Sequence, residues 1–494
     1  MEFCLVENRS RSLLIVLALG IALALAGGAV IAFGSPAIAF AIVLAVVASA
    51  IVLSNIEFGV YAVIAVAVLL PFGALPLNIG FNPTFLDLAL LALFAMWVAR
   101  GLTRQGFKTL SEANGGGFVA TPLGLPILVF LVLAVFSFVA GLAYAPLDRE
   151  VVRHFAEVLI SIALFFVIVN VVQTRAVLGR FVTALLLAGF ISAAIGIILY
   201  FIPSNLSIQI LSALRVFKYP TGDGVLRFIE DDPANPMRAI STSIDPNVLG
   251  GLMILVTALA VPQLFASKPL LPRPLIAAMV VTMGVCMVLT FSRGAMLGLG
   301  LALVVIATVR YRPIIAVMIL GAAVFLLLPF TQDYVGHFLD AFAGSDRATQ
   351  MRLGEYKDAL NLISRYPIFG VGFGGSPDID TYLGVSSVYL LMAEEMGLVG
   401  LAAFLVTMAL FFFHAAQAWF TRLVRDEFLA PILLGVAGAL LGAMIGGLTD
   451  HYFFNLAFPH SVALFWLYAG LGMATVRLGT PGESQSVDNP HALP

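Results

Sequence analysis

Arg293 stands where a cation is hard to place, Arg238 stands beside an apolar membrane mouth, and Arg352 lies within one turn of a carboxylate. Arg293 sits in the string VLTFSRGAMLGLGLALVV, between two apolar runs, with only Ser292 and Gly294 beside it. A charge there is costly unless it snorkels to the interface or meets an anion or water. Arg238 precedes an apolar run that opens Asp245-Pro246-Asn247, a good helix entry in which Asp245 can cap and Pro246 can take the first helical position. Arg352 opens a segment to Gly400 that packs charge, a Pro-stopped turn and a Gly-rich crossing between apolar runs. Guanidinium is permanently charged and forks onto phosphate or carboxylate oxygens, so the chemistry on offer is anion binding.

Other groups compete for attention. Arg352, Glu355 and Tyr356 lie within one turn of a predicted helix over 346–364, where Arg352 and Glu355 could form a surface pair. Gly370, Gly372, Gly374 and Gly375 follow no βαβ strand, so a nucleotide fold is rejected in favour of a tight re-entrant turn. Asp378 and Asp380 form a D-x-D, a pattern frequent by chance and weak as a metal site. Glu230, Asp231 and Asp232, flanked by Pro233 and Pro236, read as a solvated acidic turn. Glu395 lies near the start of a span, and Asp450 and His451 close a short loop. The segment Leu206–Lys218 puts Ile210, Leu211 and Leu214 on one face and ends on Arg215 and Lys218, as in a helix lying on a membrane surface or a basic lip over a lipid phosphate.

The elements that must position these residues follow from composition. Of 494 residues, 61% are hydrophobic and 11% charged, far below the charge of a soluble domain. Apolar runs of membrane-spanning length recur throughout, so the chain is an all-α, polytopic integral membrane protein with about fourteen spans. These are predicted at 13–33, 37–53, 57–74, 84–100, 122–144, 153–172, 178–202, 246–266, 274–291, 294–309, 313–330, 386–413, 428–449 and 455–476. The pattern divides as an N-terminal transmembrane bundle (1–202), a long loop (203–245), central helices (246–330), a second long loop (331–385), C-terminal helices (386–476) and a polar, disordered tail (477–494). Basic residues such as Arg100, Arg104, Lys108, Arg310, Arg312, Arg422 and Arg425 crowd the short connectors of one side. The positive-inside rule makes that side cytoplasmic, together with both termini, and puts both long loops on the outer face. Residues 103–119 read as a flexible linker. Cys4 and Cys286 fall on the cytoplasmic side and inside a span, so no disulfide framework is expected.

Four strings in order resemble the O-antigen polymerase and O-antigen ligase superfamily: Arg238 with Asp245–Gly251 (DPNVLGG); Phe291–Leu299 (FSRGAMLGL); Arg352 with Ala359–Leu360 and Tyr366–Gly374 (YPIFGVGFG); and Ser386–Phe404 (SSVYLLMAEEMGLVGLAAF). The resemblance implies a GT-C-like enzyme of the bacterial inner membrane that moves glycans from undecaprenyl pyrophosphate on the outer face. It implies inverting transfer with no metal or cofactor, and Arg238, Arg293 and Arg352 holding the pyrophosphate. Polymerisation of repeat units is the leading expectation, and ligation onto lipid A–core the alternative. Expected partners are the lipid-linked oligosaccharide and the bilayer, with a chain-length regulator and flippase, and no nucleic acid. A transporter or flippase, or a non-catalytic assembly partner, remains the reading from another class.

One departure stands out. Where the family carries a His before Tyr-Leu, this chain has Ser386 and Ser387, ahead of Tyr389. A serine hydroxyl is too weakly basic to replace an imidazole. Substitutes are Asp380, Glu395 and Asp245, with His337 and His451 also on the outer side; Tyr356, Ser386 and Tyr389 are secondary site candidates.

Overall fold

The computed structural model describes residues 55–75, 82–102, 119–144, 148–327, 332, 336, 347–375 and 385–480. The predicted spans 13–33 and 37–53, most of the 103–119 linker, the Asp378–Asp380 pair, His337 and the tail beyond residue 480 lie outside them.

Contacts divide the chain into two units, Met1–Gly59 and Val60–Pro494. Asn55 Oδ1 accepts from Glu57 N at 3.1 Å at the start of helix α1 (Ile56–Leu69), whose first turn belongs to the first unit and the remainder to the second. The second unit holds the rest. Its helices are α2 (Phe85–Leu102), α3 (Gly124–Gly141), α4 (Arg149–Val171), α5 (Arg175–Phe201), α6 (Ser204–Ala213), α7 (Pro246–Phe265), α8 (Arg273–Leu289), α9 (Arg293–Val309), α10 (Pro313–Leu327), α11 (Arg347–Arg365), α12 (Val388–Thr421), α13 (Leu429–Gly446) and α14 (Pro459–Leu478). Seven of them, α3, α4, α5, α7, α12, α13 and α14, are long and apolar enough to cross a membrane; α1, α8, α9 and part of α10 are shorter apolar helices. The protein is mostly helical and multi-pass. The all-α expectation needs one amendment: a small antiparallel hairpin, β1 (Arg227–Phe228) and β2 (Met237–Arg238), pairs Arg227 with Arg238.

The core is built on α7 and α14, which are apolar and buried almost all round, with α13 beside them. A helix that is hydrophobic on every face belongs inside. By contrast α3 and α10 turn Leu125, Val132, Ile319 and Leu327 outward, as lipid-facing helices do. Between apolar helices the close packing is steric, and small residues permit it. A Cβ on Gly294 would lie 2.1 Å from Thr449 Oγ1, and one on Gly298 would lie 2.4 Å from Gly442 O. The backbone of α9 therefore presses against α13, which fixes Arg293 at the end of that contact.

Helix α12 is broken at Gly397, whose φ of 67° leaves the helical region. The Gly-rich segment after α11 fills the break. Leu398 N donates to Pro367 O (2.8 Å), while Val371 N and Gly372 N donate to Glu394 O and Glu395 O (2.9 Å each). Backbone groups released by the break thus find partners, as an apolar environment demands. The expected glycine turn, with Gly370 and Gly372 at positive φ, acts as a splint across the break.

Candidate functional site

The ends of several helices meet around the hairpin. The turn between α8 and α9 is tight: Phe291 takes φ 54°, Thr290 Oγ1 donates to Met287 O (2.7 Å), and Ser292 N donates to Thr290 Oγ1 (3.2 Å). Strand β2 is pinned to that turn through Ala239 N, which donates to Leu289 O at 2.8 Å. Arg238 follows, its Nε donating to Thr290 O (2.8 Å) and its Nη2 to Asn247 Oδ1 (2.7 Å). Asp245 caps α7, its Oδ1 accepting from Asn247 N (2.7 Å) and Val248 N (3.1 Å), so the capping reading of this residue is the one observed.

An open cleft of about 400 Å³ lies here, lined by Ile229, Glu230, Arg238, Asn247, Phe291, Arg293 and Arg352. The three arginines, 55 and 59 positions apart in sequence, share one surface. All three are half-buried. Burial lowers the Arg238 pKa to about 10, opposed by the nearby Asp245 and Asp450 and reinforced by Arg352. Arg238 stays charged at neutral pH but is poorly compensated, the condition in which an added anion is welcome. The N-terminal end of α9, which begins at Arg293, adds partial positive charge here, whereas that of α7 is already met by the Asp245 carboxylate.

Arg352 reaches the cleft because α11 is tied to the start of α12. Glu355, expected as a surface partner of Arg352, is instead buried, and its Oε2 accepts from Ser386 N at 2.9 Å. Tyr356 OH lies within reach of Ser386 O (3.0 Å) and Leu448 O (3.2 Å). Its pKa is raised by burial, with Arg352 acting the other way. Ser386 is therefore held by both its backbone groups. Val388 N donates to Gly447 O (2.9 Å) and Asp450 O (3.0 Å), which brings the α13–α14 loop against this segment.

The remaining sequence candidates are placed elsewhere. Glu395 does not line the cleft; it belongs to the glycine splint, where Ser137 Oγ and Gly372 N donate to its carbonyl. Tyr389 OH donates to Met444 O (2.7 Å), joining α12 to α13. Arg215 and Lys218 are exposed on a 3-10 turn after α6 and do not line the cleft. The His451 Nδ1 is 4.0 Å from Asp450 Oδ1. Asp380 lies outside the described residues. Sequence reasoning passed over Asn247, which orients Arg238; the acidic turn it read as solvated is exposed, with Glu230 also lining the cleft. It left Asp450 as a loop closure, yet this carboxyl is buried and its pKa is raised by burial and by Asp245, against His451 and Arg352. Asn247 could have been noticed as the polar residue beside the cap; the buried state of Asp450 carries no local signal.

Among the described residues no group of three or more His, Cys, Asp or Glu converges as metal ligands would. The arrangement can hold a multiply charged anion against several guanidinium donors. Comparison with curated proteins yields no match. Residues 278–405 match the family model for O-antigen ligase, a segment that includes Arg293, Arg352, the glycine splint and the Ser386–Phe404 string. Over that segment, about a quarter of the chain, the protein is similar to the O-antigen ligase family.

Proposed function

We propose that this protein is an inverting glycosyltransferase that polymerises oligosaccharide repeat units carried on undecaprenyl pyrophosphate, at the outer face of the bacterial inner membrane. The observation that carries the reading is the shared cleft of Arg238, Arg293 and Arg352. Breaking the bond between an anomeric carbon and a pyrophosphate leaves negative charge on the phosphate. Preorganised guanidinium groups in a water-poor site stabilise that charge by several kcal/mol. With that charge supplied by side chains, transfer needs no metal, so chelators leave it unchanged. On this reading the fold is GT-C-like with about fourteen spans, and both termini are cytoplasmic, as the basic connectors require.

The test is transfer of radiolabelled lipid-linked repeat units in membranes carrying wild type or Arg293→Ala. The expected result is polymer from wild type and loss of about 100-fold or more in the variant. Undiminished polymer in Arg293→Ala sinks the reading. The matched family's description favours a second reading, ligation. Product analysis separates them: a longer lipid-linked glycan means polymerase, and glycan on lipid A–core means ligase.

A further inference from the structure

We propose that Glu230 is the proton acceptor for the attacking hydroxyl in this transfer, in place of the imidazole that Ser386 and Ser387 do not supply. The inference rests on the reading above. It comes from the cleft itself. Among the described residues, Glu230 is the acidic side chain that lines the same cleft as the three arginines.

Its position there is built. Ile229 is buried and anchors the turn, its N–H donating to Pro236 O at 3.1 Å and its carbonyl accepting from Asn235 Nδ2 at 3.1 Å. Glu230 and Asp231 follow with φ of 59° and 56°, in the left-handed region. The hairpin that positions Arg238 therefore also sends Glu230 to the cleft. Glu230 is itself exposed to solvent, so a proton it accepts has a path to water.

The electrostatics argue against a role in donor binding. A carboxylate in a phosphate-binding cleft repels the phosphate, and like charges brought together cost affinity. Nor does Glu230 orient the arginine beside it, because Arg238 spends its donors on Thr290 O and Asn247 Oδ1. A carboxylate that opposes donor binding and does not hold Arg238 is assigned to the reaction step.

The step balances without another reagent. The acceptor hydroxyl oxygen forms a bond to the anomeric carbon as the bond from that carbon to the pyrophosphate oxygen breaks. The departing electron pair stays on the pyrophosphate, held by the arginines. The hydroxyl proton passes to the Glu230 carboxylate and from there to water.

The experiment compares wild type, Glu230→Gln, Glu230→Asp and Glu230→Ala in purified protein, with lipid-linked oligosaccharide as donor. Turnover, donor KM and melting temperature are read together. The proposal expects Glu230→Gln to lose about 100-fold to 10,000-fold in turnover, with donor KM unchanged or lower. It expects Glu230→Asp to keep part of the activity and added formate to restore part of it to Glu230→Ala. A formate effect is one that a structural role would not produce. Turnover in Glu230→Gln within twofold of wild type, or a raised KM with turnover intact, overturns the proposal. Arg293→Ala runs alongside: if it alone is dead, the transfer reading stands while the Glu230 assignment falls, and if neither variant matters, both fall.

Discussion

Arg238 Nη2 donates to Asn247 Oδ1 at 2.7 Å, so the residue after the α7 capping turn aims a guanidinium that begins on a different element. Arg238 also spends its Nε on Thr290 O. Two bonds from one planar group fix its orientation, and lysine cannot reproduce them.

That geometry predicts a graded series. Asn247→Ala frees Arg238 to swing and should lower transfer roughly tenfold, the effect of one lost charge-assisted hydrogen bond. Arg238→Lys keeps the charge but loses both contacts and should cost more. The pH dependence has a defined sign. The Arg238 pKa is lowered to about 10 by burial, so its charged form costs folded-state stability; that cost is full below about 10 and is relieved as pH rises from there toward the unfolded arginine value. Inorganic pyrophosphate should therefore raise the melting temperature while Arg238 is charged, with the increment shrinking above pH 10. An increment that stays constant to pH 11 would show that Arg238 does not contribute to the anion site.

Asp450 should behave as a buried acid that resists ionisation. Its raised pKa means that the folded state binds its proton more tightly than the unfolded chain does. The stability this contributes is complete below the unfolded carboxylate range and is lost as pH rises through the folded pKa. Asp450→Asn, always neutral, should melt higher than wild type at neutral pH, and the gap should close on acidification. Thermal unfolding in detergent across pH checks this. A gap that widens in acid would reverse the assignment.

Gly397 should be intolerant of any side chain. A Cβ there would lie 2.1 Å from Ile368 O, and the residue sits at φ 67°. Both the clash and the backbone region oppose substitution, so Gly397→Ala should destabilise by about 3 kcal/mol or more. Because the splint joins α11 to α12, loss of folded protein should be accompanied by loss of pyrophosphate binding at Arg352. Wild-type melting behaviour in this variant would mean that the splint is not needed.

The helical architecture was readable from the chain because membrane hydropathy is local. Each apolar run must satisfy its own backbone, so the run marks the helix, and the observed boundaries of α3, α5, α7 and α9 lie within a few residues of the sequence reading. The break in α12 escaped it, because a glycine in an apolar run looks the same whether the helix continues or is interrupted. The partner that makes the break tolerable, Pro367–Gly372, is supplied from the preceding segment.

For the site the division is similar. Sequence alone determined that this is a membrane protein and that Arg293 is a costly cation that must snorkel or meet an anion, since the cost of a charge between apolar runs can be read at one residue; the grouping of Arg238, Arg293 and Arg352 came from the family resemblance. Tertiary structure decided that the three share a cleft, that Asn247 aims one of them, that Glu355 binds Ser386 instead of Arg352, and that Glu230 faces the arginines. Those relations join residues brought together by a hairpin, a tight interhelical turn and close glycine packing. Such contacts depend on how distant elements dock, and no local periodicity encodes them.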